Sequence, residues 1–179
     1  MRSIVLGGGC FWCLEAVFEG LQGVASAEPG YAGGWDPSPT YREVCRGTTG
    51  HAEVVQLRYD PEVIGLDQLL DLFFTVHDPT TPDRQGADVG PQYRSIILVE
   101  RAEDGEVARR VMEAVTREGR WPDPLVTQLV PLEHFFPAEA EHRDYYRRNP
   151  LQPYCQVAIT PKVAKARKAF GDLYRSSPA

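Results

Sequence analysis

Cys10 lies in Gly7-Gly8-Gly9-Cys10-Phe11-Trp12-Cys13, behind a short apolar run and ahead of an amphipathic stretch. This placement puts a thiol at the start of a helix. Free amides and the helix dipole there favour an anion. The position therefore predicts a depressed pKa and a nucleophilic thiolate. The glycines let the backbone turn tightly against the end of a strand. A phosphate loop of the P-loop kind would carry Lys and then Ser or Thr after its last glycine, and Cys-Phe-Trp stands there instead. The bland alternative is a buried, inert cysteine. Phe11 and Trp12 read either as core residues or as an aromatic pocket for an apolar group such as a methyl.

Glu53 lies on an apparent strand in which residues 53, 55, 57 and 59 share one face. These are Glu53, Val55, Leu57 and Tyr59, so a carboxyl joins an apolar face. Burial would raise its pKa and suit it to hold a proton near neutral pH. Alternatively, it reaches water at the strand end or pairs with Arg42 or Arg46. Tyr41, in one long polar loop, and Asp88, Gln92 and Tyr93, in and after a second, read alone as packing or turn chemistry. His51, His77, His134 and His142 show no metal-ligand spacing and are expected to be structural or solvated. Pro137 separates the last two, so they are not a helical ligand pair.

Elements that would position these groups follow from periodicity. Residues 3–6 read as a short buried strand. Leu14, Val17, Phe18 and Leu21 mark a helix stopped by Gly23. A strand over 24–28 precedes a long loop over 29–50, a length that points to function. Then come a strand over 52–59, a helix over 66–76, a polar loop over 79–92, a strand over 93–99 and a helix over 103–118. Residues 125–130 suggest a strand and 138–147 a short polar helix. The tail predicts a strand-like 157–159 and a helix from 162 to about 174. Loose alternation of strands and helices predicts an α/β (α+β) two-layer sandwich, helices packed on a mixed sheet. Strand order does not follow from the pattern.

The chain has 179 residues, 42% hydrophobic and 25% charged, which suits one globular domain over 1–179. A net charge of −6 argues against nucleic-acid binding. There is no signal-peptide pattern, and no run approaches the roughly 18 apolar residues of a membrane span. A cytoplasmic location is expected, where cysteines are more often catalytic or metal-binding than structural. Of Cys10, Cys13, Cys45 and Cys155, only the first two form a close pair, so a four-ligand zinc site is not expected.

Gly9-Cys10-Phe11-Trp12 with Glu15 resembles the signature of peptide methionine sulfoxide reductase A. Further motifs follow in order: Gly30-Tyr31-Ala32-Gly33-Gly34, Pro39-Thr40-Tyr41, Val44-Cys45 and Thr49-Gly50-His51-Ala52-Glu53. His77-Asp78-Pro79-Thr80, Arg84-Gln85-Gly86-Ala87-Asp88, Gly90-Pro91-Gln92-Tyr93-Arg94-Ser95, Asn149-Pro150 and Tyr154-Cys155 complete the series. The likeness spans roughly residues 4–170. It implies a ferredoxin-like core and reduction of methionine S-sulfoxide, free or in proteins. Cys10 would attack the sulfoxide sulfur. Glu53 would protonate its oxygen with support from Tyr41 and Tyr93, and Asp88 would organise the polar side. Phe11 and Trp12 would hold the methyl group. The resulting sulfenic acid would condense with a second thiol, and thioredoxin would reduce the disulfide, with no metal or bound cofactor. Cys155, on the segment from about 145 to 179, matches a resolving position. Cys13, where many relatives carry glycine, is the alternative. Ala87 also departs from the frequent asparagine. A monomer is expected.

Two other readings remain at this point. One is a thioredoxin-like disulfide oxidoreductase using Cys10 and Cys13. The other is a non-enzymatic binding module for thiols or methyl groups.

Overall fold

A computed structural model describes residues 1–176. Strand β1 (Arg2–Gly7) carries Ile4 and Leu6 towards one side and Val5 towards the other. The period of two continues in β3 (Ala52–Tyr59), where Val55, Leu57 and Tyr59 join the larger core and Val54 the smaller one. Strand β2 (Val24–Ala32) and strand β6 (Ile96–Val99) complete the centre of the sheet. Short strands β7 (Gln128–Pro131) and β8 (Phe136–Pro137) lie at the edges, and the order is β7-β6-β1-β3-β2-β8. β1 is antiparallel to both β3 and β6, whereas β6 and β7 are parallel. A two-residue ladder, β4 (Arg84–Gln85) with β5 (Asp88–Val89), closes the second polar loop.

Helix α1 (Phe11–Phe18) connects β1 to β2, and α3 (Leu66–Val76) lies between β3 and β6. The inner strands therefore run β6-β1-β3-β2, the β-α-β-β-α-β ferredoxin-like arrangement. Leu69, Leu70, Phe73 and Phe74 of α3 are fully buried in the core that Ile4, Leu6, Val55 and Leu57 line from the sheet. Helix α4 (Ala102–Arg117) adds Ala108 and Val115 to it, and α6 (Thr160–Phe170) adds Ala166. Helices thus cover one face. The other face holds a thin layer of Val5, Ala32, Ala52, Val54, Ile96 and Leu98 under loop residues.

Several expected elements change. The strand expected over 93–99 starts at Ile96, because Gly90 (φ 144°) and Pro91 set up a 3-10 turn over Pro91–Tyr93. The strand expected over 125–130 is shifted, beginning at Gln128 after the prolines at 122 and 124. The first long loop is shortened by β2 running on to Ala32. It also contains a helix, α2 (Tyr41–Cys45), whose Thr40 hydroxyl caps the Glu43 amide. The polar helix expected over 138–147 is broken. A 3-10 turn (Ala140–His142) is followed by Asp144 at φ 54°, and then by α5 (Tyr145–Arg148). The strand-like 157–159 is π-helical, part of Cys155–Ile159 leading into α6. Cys155 and Ile159 face inward four residues apart while Val157 is 79% exposed, a helical spacing that its β-branched residues disguise.

Candidate active site

The triple glycine sets where Cys10 sits. A Cβ on Gly8 would lie 2.8 Å from the His77 ring, and one on Gly9 (φ 90°) 2.9 Å from Gln85 Cγ. His77 is buried and bonded through Nε2 to Ser95 Oγ (2.7 Å) and through Nδ1 to the Phe73 carbonyl. Its pKa is pushed down to about 4 by burial. The chain thus slides between an uncharged imidazole at the end of α3 and Gln85, and only glycine fits. Cys10 then caps α1 with extended backbone.

Glu53 enters from the neighbouring strand. Its Oε1 accepts the Phe11 amide at 3.1 Å, and its Oε2 is buried with no partner. The carboxyl is 1% exposed and pairs with neither Arg42 nor Arg46. Burial pushes its pKa up to about 8, partly opposed by the Phe11 amide. Glu53 is therefore a neutral acid at pH 7, with one oxygen held by the helix start and the other free for a ligand.

The expected thiolate at Cys10 is corrected. Cys10 is buried, and burial pushes its thiol well above the usual range, reinforced by Cys13 and Glu53. The Trp12 amide works in the opposite direction. The helix start is present, but desolvation outweighs it. Cys13 shows the reverse: its thiol is pulled down by the hydrogen bond from Cys10, with help from the Lys162 charge. Cys155 is fully buried, and its thiol is pushed up by burial and then by the charge of Cys13.

Aromatic rings wall the site. Phe11 lies 5.8 Å from Tyr31 and 6.1 Å from Tyr41, centroid to centroid, and Tyr145 stacks flat on Trp12 at 3.7 Å and 7°. Burial keeps the Tyr41 and Tyr93 hydroxyls protonated. Asp88 accepts from the Tyr154 hydroxyl at 2.7 Å. Tyr154 in turn lies edge-on to Trp12 at 6.0 Å and close to the two thiols, and burial keeps its hydroxyl protonated. Cys10, Glu53, Phe11, Trp12, Tyr41, Tyr93 and Asp88 therefore gather around one place. Cys45 is exposed at its edge, beside Tyr41.

Four participants were not anticipated. His142, expected to be structural or solvated, accepts the Trp12 indole N–H at Nδ1 (3.0 Å) and packs 4.3 Å from the Tyr41 ring. Glu139 accepts the Tyr31 hydroxyl (2.7 Å) and the Tyr41 amide (3.0 Å). Tyr145 and Tyr154 are the others. Every one of these contacts joins residues far apart in sequence, so no local pattern announces it. Glu139, Glu141 and His142 offer ligand atoms within 4.8 Å of one another, but both Glu139 oxygens already serve Tyr31 and Tyr41.

A ferredoxin-like sheet presenting a buried thiol pair to a proton-holding carboxyl defines a thiol-based oxidoreductase. The family described as peptide methionine sulfoxide reductase matches residues 2–173. The peptide methionine sulfoxide reductase MsrA of Thermus thermophilus is 56% identical over 95% of this chain and 96% of its own. Reduced Mxr1 of Saccharomyces cerevisiae superposes with a TM-score of 0.80 at 35% identity, covering 86% of this chain and 88% of its own. Mxr1 solved in complex with Trx2 superposes at 0.57 with 27% identity, covering 80% and 84%. The chain belongs to the peptide methionine sulfoxide reductase MsrA family, and its activity is that of a peptide methionine sulfoxide reductase. That membership sets aside the thioredoxin-like and non-enzymatic readings.

Proposed function

We propose that Cys10 is the nucleophile and Glu53 the acid in reduction of the S epimer of methionine sulfoxide, free or in proteins. The observation that carries this is the divided Glu53 carboxyl: Oε1 on the Phe11 amide, Oε2 buried and unpartnered beside the thiol. A sulfoxide is a poor electrophile until its oxygen is protonated. Glu53 gives its proton to that oxygen as the Cys10 sulfur attacks, and the Cys10 proton returns to the carboxylate. Oxygen passes from the methionine sulfur to Cys10, leaving a thioether and a sulfenic acid. The methionine sulfur gains the two electrons that Cys10 loses. Phe11 and Trp12 hold the methyl group. Tyr41 and Tyr93 remain protonated and donate hydrogen bonds to the oxygen, and Asp88 orients Tyr154 on the polar side.

The sulfenic acid then meets a second thiol. Sequence resemblance favours Cys155 for this step, yet Cys13 sits in the first turn of the helix that Cys10 caps, its amide on the Cys10 carbonyl at 3.1 Å, and its thiol is pulled down, which favours Cys13. Cys13 attacks the Cys10 sulfur and water leaves, giving a Cys10–Cys13 disulfide. Cys155, close enough to feel the charge of Cys13, follows by thiol–disulfide exchange, releasing Cys10. A thioredoxin-type dithiol supplies the two electrons that close the cycle, a role supported by the yeast complex with Trx2. These steps use cysteine sulfur alone and call for no bound cofactor. They suit the cytoplasm, where thiols are kept reduced. No helix among the described residues is long and apolar enough to cross a membrane.

The test supplies dithiothreitol and each epimer of a blocked methionine sulfoxide and measures methionine. Turnover of the S epimer alone, lost in Cys10→Ser, is expected. Turnover of the R epimer, or survival of activity in Cys10→Ser, overturns the proposal.

A further inference from the structure

Glu15 is a buried carboxyl that the reaction above does not use. It is 4% exposed, on α1 three residues after Trp12, and the two side chains share a helix face. Its Oε2 accepts the Asp144 amide at 3.0 Å. Asp144 is one of two described non-glycine residues with positive φ, and the next residue is Tyr145, whose ring lies flat on Trp12. Four residues after Glu15, Glu19 meets Arg147 at 3.2 Å. A column of side chains along α1 and its C-cap, Trp12, Glu15 and Glu19, therefore meets Tyr145, Asp144 and Arg147 in turn. Burying a carboxyl costs free energy that an apolar residue would avoid, and the amide of a left-handed residue is an unusual object to hold.

From this we infer that Glu15 is a positioning residue for substrate binding: by fixing the Asp144 amide it keeps Tyr145 against Trp12 and so keeps the methyl pocket closed. The inference rests on the reading of Phe11 and Trp12 as the substrate pocket. It also gives affinity a dependence on pH. Glu15 is pushed up to about 7, by burial first, opposed by the Asp144 amide and raised further by Glu19 and Asp144. The charged groups around it are Glu19 at the C-cap of its own helix, Arg143, Asp144 and Arg147 on the strap that runs from Phe136 to Arg148, Glu28 on β2, and Arg175. The docked strap favours neutral Glu15, so its hold weakens as pH rises through about 7.

The test measures KM and kcat for a blocked methionine S-sulfoxide, with melting temperatures, in the full chain. Glu15→Ala should raise KM about tenfold with kcat nearly unchanged, the scale of a lost aromatic contact. Tyr145→Ala should do the same, and the double variant should be no worse than the weaker single. Glu15→Gln keeps an acceptor oxygen, so it should bind like wild type at pH 6 and lose the rise in KM above pH 7. Trp12→Ala separates the two claims. If it raises KM while Glu15→Ala does not, the role of Glu15 is overturned and the pocket stands. If neither changes KM, the pocket reading fails. Should Glu15→Ala not fold, a KM–pH profile in Glu15→Gln that matches wild type overturns the inference by itself.

Discussion

Two regions build this site in different ways. The first runs from Gly7 to Cys13 and includes Glu53 on the adjoining strand. Here the backbone does the positioning. Central strands, a glycine turn wedged against His77 and Gln85, and a helix start place Cys10 and Glu53 with little freedom. The second is the strap from Phe136 to Arg148 with the π-helical turn after it. Its start, β8 and the Ala138 amide, is tied to β2 by backbone, and beyond that it is attached through side chains: Glu139 to Tyr31 and Tyr41, His142 to Trp12, Glu15 to the Asp144 amide and Arg143 to Glu28. The contrast suggests a division of labour. The backbone-built region holds the groups that exchange protons and electrons. The attached region shapes the pocket, and its hold on the body can vary with little change to the fold.

The largest effect separates the regions through their cysteines. Cys13 belongs to the first and Cys155 to the second. Cys13→Ser supplied with thioredoxin should release about one equivalent of methionine and stall. Cys155→Ser should still form the Cys10–Cys13 disulfide, seen as a two-dalton loss by mass spectrometry. Sustained turnover in Cys13→Ser, with stalling in Cys155→Ser, would transfer the first step to the attached region.

The next effect tests the rigidity of the glycine turn. His77 is held neutral in the fold with its pKa lowered to about 4, while the unfolded chain titrates near 6.5. Its contribution is complete above pH 6.5 and is lost as pH falls towards 4. Urea unfolding should show about 3 kcal/mol less stability across that range from this group, and a His77→Gln chain should lack that part of the slope. An unchanged slope in the variant would mean that the turn does not depend on a neutral imidazole.

The smallest effect lies in the strap. Removing the His142 acceptor from the Trp12 indole should cost about 1 kcal/mol, so His142→Ala should raise KM roughly fivefold. Its kcat and melting temperature should remain near wild type. A drop in kcat larger than the rise in KM would place His142 among the reacting groups.

The same division explains what could be read in the sequence. Cys10 and Glu53 were legible because their neighbours repeat with periods of 3.6 and 2, and those periods survive into the fold. The buried face of 53, 55, 57 and 59 is as expected. His142, Glu139, Tyr145 and Tyr154 were not legible, since their partners lie up to 130 residues away and the polar segment carrying them has no period. The π-helical turn looks like strand in the sequence because Val157 and Ile159 favour β structure locally, while packing sets the Cys155 to Ile159 spacing. The Cys10 thiol departs from its expected acidity for a third reason: a helix start is visible in sequence, and the depth of burial that opposes it is not.

The central claim is that Glu53 supplies a proton to the substrate that Cys10 attacks. Single-turnover release of methionine, measured against pH without reductant, tests it most directly. Glu53 loses its proton as pH rises through about 8, so the wild-type rate should fall above that pH. Glu53→Gln should be slower by about a hundredfold or more and show no such fall. A Glu53→Gln chain that keeps the wild-type rate and the wild-type fall above pH 8 would contradict the account.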